Sequence, residues 1–297
     1  MRMFVLIALL IFSTFTVAQE KTDKKLQKKI EPLIKNFNGK IGLFVKNLSN
    51  GRTVSINADS IFPTASMVKI PILIGIMHKI HKGEISYRQE FPYRDSLLYA
   101  GVDILGSFKQ DEKIEVSKMM MLMLTMSDNT ASLWLQSLAG TGTRINELLD
   151  SIGMVHTRVN SRTPGRDTNR TLYGWGQTTP REMAHLLEKM YKGELISKAS
   201  SDWMIRLLGR NFWDEVSISQ VPPTVFIASK NGAVNNSRSE VLLVMAPHRP
   251  YVFCIATNHI RDESWAESNE AWKLTRELSA LLWNYFEPRS KWKPNSL

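Results

Sequence analysis

The chain has one cysteine in 297 residues, Cys254, which excludes an intramolecular disulfide framework and a cysteine-built zinc site. Long apolar stretches are scarce. Only Phe4 to Phe12 is unbroken, and it is too short for a comfortable bilayer span. Internal repeats and low-complexity linkers are missing, so the chain is neither disordered nor collagen-like. Gly140-Thr141-Gly142 lacks the preceding strand and third glycine of a dinucleotide loop, and there is no G-x-S-x-G elbow. His78 and His81 lie one helical turn apart without a third ligand, so no metal and no cofactor is expected. What is present is 43% hydrophobic and 22% charged residues, ample for a full core. The formal charge of +10 raises nucleic acid or an anionic surface as partners. Lys24, Lys25, Lys28 and Lys29 carry no aromatic stacking platform, however, and read as a solvated helix face, so no nucleic-acid partner is expected.

The amino terminus has the pattern of an export signal: Arg2, the apolar run, then the small-residue site Thr16-Val17-Ala18 before Gln19. Cleavage after residue 18 would leave an exported chain without a stable membrane span, either periplasmic or secreted. No Cys follows Ala18, which argues against a lipoprotein.

Leu26, Ile30, Leu33, Ile34 and Phe37 share one face of a first helix. Strands are expected over Lys40 to Leu48 and Arg52 to Ile56, joined by a tight hairpin at Asn50-Gly51. Three more lie far downstream, at Val225 to Ser229, Glu240 to Met245 and Tyr251 to Thr257, the last holding Cys254 as a small buried hydrophobe. A closing helix is expected from about Ser264 to Phe286, with Trp272, Leu278, Leu282 and Tyr285 close to one stripe. Residues 62–214 read mainly as helices, and Met119 to Leu124 is apolar all round, as in a buried helix. The implied fold class is α/β in the α+β sense, with an antiparallel sheet of about five strands flanked by terminal helices. Its sheet domain would be discontinuous, 19–61 with 215–297, beside an all-helical domain of 62–214, with a cleft where they meet.

Three short elements could carry chemistry together. In Ser66-Met67-Val68-Lys69, a helix starting at Ser66 puts Lys69 one turn on, within reach of the hydroxyl. A serine is a poor nucleophile until a base takes its proton, and lysine serves if burial or another cation disfavours its ammonium form. In Ser127-Asp128-Asn129, an acid or amide would cap the helix Thr130 to Leu138, while Ser127 could pass a proton to a leaving nitrogen and Asn129 orient a lysine and a substrate amide. In Lys230-Asn231-Gly232-Ala233, Lys230 adds a second positive charge and Gly232 lets another backbone come close. The N–H of Ala233 could then complete an oxyanion pair with that of Ser66.

This set resembles the class A β-lactamases and penicillin-recognising serine hydrolases, whose signature is S-x-x-K, S-D-N and K-T-G. The order and spacing agree. So do Phe62-Pro63-Thr64-Ala65, Ile70-Pro71, Gly101-Val102-Asp103-Ile104-Leu105 and the helix opening Thr178-Thr179-Pro180. The resemblance spans nearly all of residues 22–286. It implies Ser66 as the acylated nucleophile, Lys69 as its base, Ser127 as proton relay, and Asn129 as the holder of Lys69 and the substrate amide. Lys230, Asn231 and Arg238 would bind the substrate carboxylate, and Ser66 and Ala233 would form the oxyanion hole.

Two departures stand out. Asn231 replaces the usual hydroxyl residue of the third motif. The family's deacylating glutamate, in an E-x-x-L-N pattern, has no counterpart in residues 160–170, where counting back from Pro180 reaches Thr163. Asp167 is the only acid of that stretch and reads as a loop partner of Arg166 or Arg170. The expected function is therefore a β-lactamase-like serine hydrolase, a monomer acting on a small β-lactam or peptidoglycan-like substrate through a Ser66 acyl-enzyme whose hydrolysis is slow or uses another base. The alternatives are a penicillin-binding cell-wall peptidase or esterase, and a β-lactam-binding protein acylated once without turnover.

Overall fold

The computed structural model describes residues 20–99, 101 and 104–294; the expected leader, residues 1–18, lies outside them. The chain runs through α1 (Lys24–Ile34), β1 (Lys40–Asn47), β2 (Thr53–Ile56) and β3 (Phe62–Pro63), then a 3-10 turn over Ala65–Val68 into α2 (Lys69–His81). A small ribbon of β4 (Glu90–Pro92) and β5 (Lys113–Glu115) precedes α3 (Val116–Met121), which widens into a π-helical turn over Leu122–Met126. There follow α4 (Asn129–Leu138), α5 (Thr141–Ser151), β6 (Arg158–Val159), α6 (Asp167–Tyr173), β7 (Gly176–Thr178), α7 (Pro180–Tyr191) and α8 (Lys198–Leu208). The chain returns through β8 (Ile227–Val234), β9 (Ser237–Val244) and β10 (Tyr251–Asn258) to α9 (Glu270–Phe286).

The fold is the expected mixed one. Both chain ends build an antiparallel sheet of order β2-β1-β10-β9-β8, with β8 at one edge. Strand alternation divides its side chains between two cores. Leu43, Val45, Leu242, Val244, Phe253 and Ile255 pack on Leu26 and Ile30 of α1 and on Leu278 and Leu282 of α9. On the other face Phe44, Val241, Leu243 and Cys254 join the helices, Met119, Met120 and Met123 among them. Each such aliphatic side chain contributes about 1.5–3 kcal/mol of burial free energy. Cys254 is fully enclosed and inert, its thiol pushed upward by that burial.

Several boundaries differ from the sequence expectation. The β1–β2 connection is a longer loop in which Gly51 alone turns left-handed (φ 71°), whereas a two-residue hairpin would need Asn50 there too. α9 begins at Glu270 rather than near Ser264, because the Asn269 side chain accepts the N–H groups of Ala271 and Trp272. β8 continues to Val234, so Lys230 to Ala233 lie inside the strand rather than at its end. Asp167 opens a helix, α6, instead of sitting on a loop.

Candidate active site

Ser66 sits in the 3-10 turn rather than on the α-helix proper, and Lys69 is the first residue of α2. The tight turn still brings them together: Lys69 Nζ is 3.1 Å from Ser66 Oγ. Two more elements close on the amine. The π-turn ends at Ser127, which is left-handed (φ 61°) and presents both its carbonyl oxygen (2.6 Å) and its Oγ (2.9 Å) to Lys69 Nζ. Asn129, opening α4, adds Oδ1 at 2.9 Å. Ala65, beside the nucleophile, is also left-handed at φ 43°. Each such non-glycine residue costs about 1 kcal/mol, held here by the surrounding packing. Asp128 caps α4 through Ala131 N (2.7 Å) and also takes the N–H groups of Ile104 (2.6 Å) and Leu105 (2.8 Å), fixing the turn that carries its two neighbours.

Lys69 is completely buried, and its pKa is held well below the ordinary lysine range. Burial is the main cause, the charge of Lys230 the second, and Asp128 opposes them. A neutral amine has a lone pair for the Ser66 proton. Lys230 is equally buried, its pKa pushed down by burial to about 7 while the Glu240 charge works the other way. Its Nζ donates to the Asn231 carbonyl (2.9 Å) and to Asn231 Oδ1 (3.1 Å).

The backbone of β8 completes the arrangement. A Cβ at Gly232 would lie 2.5 Å from Thr64 O and 2.7 Å from Ser66 N, so glycine alone permits this approach. Arg238 donates its backbone N–H to Thr257 Oγ1 (2.9 Å) and accepts that hydroxyl on its carbonyl (2.8 Å). Its polar backbone groups thus face β10, which makes Ala233 and Arg238 a non-hydrogen-bonded pair. The N–H of Ala233 therefore projects from the free edge of β8, on the side of Ser66.

Arg238 itself is not brought to the cleft. It pairs with Ala233, whereas Ser239 pairs with Gly232 and donates its Oγ to Thr64 O (3.1 Å), so strand alternation aims Arg238 at the other face. There its guanidinium serves the carbonyls of Val234, Asn235, Ser237 and Ser264, 4.6 Å from the ring centres of both Trp265 and Trp272. Arg276 of α9 borders the cleft instead, in a lobe of about 470 Å³ with Ser66, Ser127, Asn231 and Trp213. Sequence reasoning missed Arg276 and placed Trp272 on the helix's core stripe; Trp272 too borders this lobe. Their spacing of one helical turn was the available signal.

The segment expected to supply the water-activating acid is built differently. Thr163 is buried with its Oγ1 donating to Ser161 O (2.9 Å) and packs on Gly142 of α5, where an added Cβ would meet that oxygen at 1.8 Å. Asp167 is exposed in the first turn of α6, a position that suits the helix dipole, and pairs with neither Arg166 nor Arg170 among the described residues. Arg166 bonds Asn160 Oδ1 and Gln177 Oε1.

Comparison with known proteins agrees with this architecture. The model of the beta-lactamase enzyme family matches residues 25–286. Beta-lactamase VEB-1 of Pseudomonas aeruginosa is 26% identical over 294 residues, spanning 95% of this chain and 96% of that protein. The solved structure of PBP-A is 25% identical with a TM-score of 0.80, covering 91% of this chain and 98% of that one. A class A beta-lactamase from Bacteroides cellulosilyticus DSM 14838 shares the fold at a TM-score of 0.76 and 18% identity, over 88% of this chain and 96% of its own. The chain belongs to the beta-lactamase enzyme family.

Proposed function

We propose that the protein is an exported monomer, its first 18 residues removed, that opens β-lactam amides through a covalent ester on Ser66 and releases the product slowly. The observation that carries this reading is the buried Lys69 amine, 3.1 Å from Ser66 Oγ and biased toward neutrality by burial and by Lys230. Neutral Lys69 takes the hydroxyl proton as Ser66 Oγ attacks the lactam carbonyl carbon. The developing oxyanion lies between the N–H groups of Ser66 and Ala233. As the C–N bond breaks, Ser127 gives its proton to the leaving nitrogen and regains one from Lys69, 2.9 Å away. Asn129 holds Lys69 through Oδ1 and turns its amide N–H₂ to the substrate. Asn231 and Arg276 line the lobe that receives the substrate carboxylate, with the buried Lys230 behind Asn231 adding its charge, the place in which Arg238 was expected.

Release requires water activated on the ester. Neither Thr163 nor Asp167 lines the hollows that Ser66 borders, whereas Lys69, neutral again after acylation, is a base within hydrogen-bond reach of Ser66. A chromogenic cephalosporin tests this. We expect a burst of about one equivalent of ring opening followed by a much slower steady phase, and neither phase in Ser66→Ala. Fast linear turnover without a burst would overturn slow release, and no ring opening would overturn the function.

A further inference from the structure

The cleft continues past Ser66, away from Ser127. A hollow of about 430 Å³ on that side is lined by Ser66, Asn129 and Ala233 together with residues 170–175. It shares Leu172, Tyr173, Asn258 and His259 with a further hollow of about 580 Å³ that reaches Lys40 on β1. Among the described residues neither hollow is lined by an Asp or Glu, whereas Arg170 borders the first, Lys40 the second and His259 both. Neither Arg170 nor Lys40 forms an ion pair among the described residues. The opposite lobe carries two carboxylates, Glu215 and Glu267. That lobe also holds Arg276, so the acids along the groove lie on one side of the nucleophile, and the side beside Arg170 carries only basic groups.

The function proposed above, on which this inference rests, sets the direction of the substrate. Ser127 protonates the leaving nitrogen, so the leaving half lies in the lobe that Ser127 lines, and the acyl half lies in the hollow beside Arg170. We infer that this acyl-side groove selects acyl groups that carry a carboxylate, with Arg170 as the receiving residue and Lys40 adding attraction further along. A guanidinium presents a planar fork that matches a carboxylate, and concave walls without competing acids focus its field on the groove. Hollows of this size accept drug-sized groups, and the second gives room for a longer, peptide-like acid.

Benzylpenicillin and carbenicillin differ by one carboxylate on the acyl side chain and provide the test. The rate of Ser66 acylation by each is followed by intact mass at low ionic strength, in the wild type and in Arg170→Gln, Arg170→Lys and Lys118→Gln. An exposed ion pair predicts that carbenicillin reacts about fivefold faster than benzylpenicillin. Arg170→Gln should lose that preference, Arg170→Lys keep part of it, and Lys118→Gln, which changes net charge on α3 outside both hollows, keep all of it. Added salt should erode it. Equal or slower reaction of carbenicillin with the wild type would overturn the inference, as would a preference that survives Arg170→Gln. Absence of both adduct and ring opening with either penicillin would instead overturn the reading of Ser66 itself, so the two failures are distinguishable.

Discussion

On the side of Lys69, two chain segments far apart in sequence, Ser66 to Lys69 and Ser127 to Asn129, meet at one amine, and two residues, Ala65 and Ser127, accept left-handed backbone there. The stretch from Asn160 to Gly174, on the acyl side, is also firmly bonded, yet its side-chain bonds run among Asn160, Arg166, Asn169 and Gln177 and between Ser161 and Gln136, away from Lys69. One region is organised around the Lys69 amine, and the other around a side-chain network of its own. In the function proposed above, attack on a substrate and release of the product are therefore separable, and the residues assigned to attack by Ser66 stand within hydrogen-bond reach of Lys69.

Substitutions on the attacking side should have the largest effects. Ser66→Ala should abolish covalent adducts, and Lys69→Ala should slow acylation by about 10³-fold, within the range for loss of a positioned base, as read by stopped flow. Gly232→Ala forces a methyl against Thr64 O and Ser66 N, so acylation should fall by roughly 10²-fold through displacement of the oxyanion donors, with a fold that still shows a cooperative thermal transition.

The pH profile sharpens the contrast between the two lysines. Acylation needs Lys69 neutral, so the rate climbs as pH rises through its depressed pKa. It also needs Lys230 charged, so attraction of the substrate carboxylate declines as pH rises past about 7. The acylation rate constant per substrate concentration should therefore be bell-shaped, with its alkaline limb starting near neutrality. Lys230→Ala should flatten that limb and move the acid limb to higher pH, since it removes a charge that lowers the Lys69 pKa.

The smallest effects distinguish the two arginines. Arg238→Ala strands the carbonyls of Val234, Asn235, Ser237 and Ser264 and should cost about 2–4 kcal/mol of stability, seen as a lower Tm. Arg276→Ala should leave Tm unchanged and weaken carboxylate-bearing substrates by about tenfold.

Local patterns in the sequence foretold much of this molecule. The paired strands at both ends, the buried methionine helix and the closeness of Lys69 to Ser66 follow from periodicity and short-range spacing, and the structure brings Ser127 and Asn129 to the same amine. What stayed hidden depended on tertiary register. Arg238 matched the family in its letters, but one position of strand alternation turns it away from the cleft. Arg276 sits on a helix more than 200 residues from Ser66 in the chain, and only folding brings it to the same cleft. The start of α9 was obscured because a polar cap competes with a helical stripe that extends past it.

The most direct test of the division between attack and release is intact mass spectrometry of the protein after a short exposure to benzylpenicillin, with free drug then removed and the mass followed over time. Retention of one intact penicillin on Ser66 long after drug removal is the predicted result. Recovery of unmodified protein within the mixing time, alongside hydrolysed drug, would contradict it.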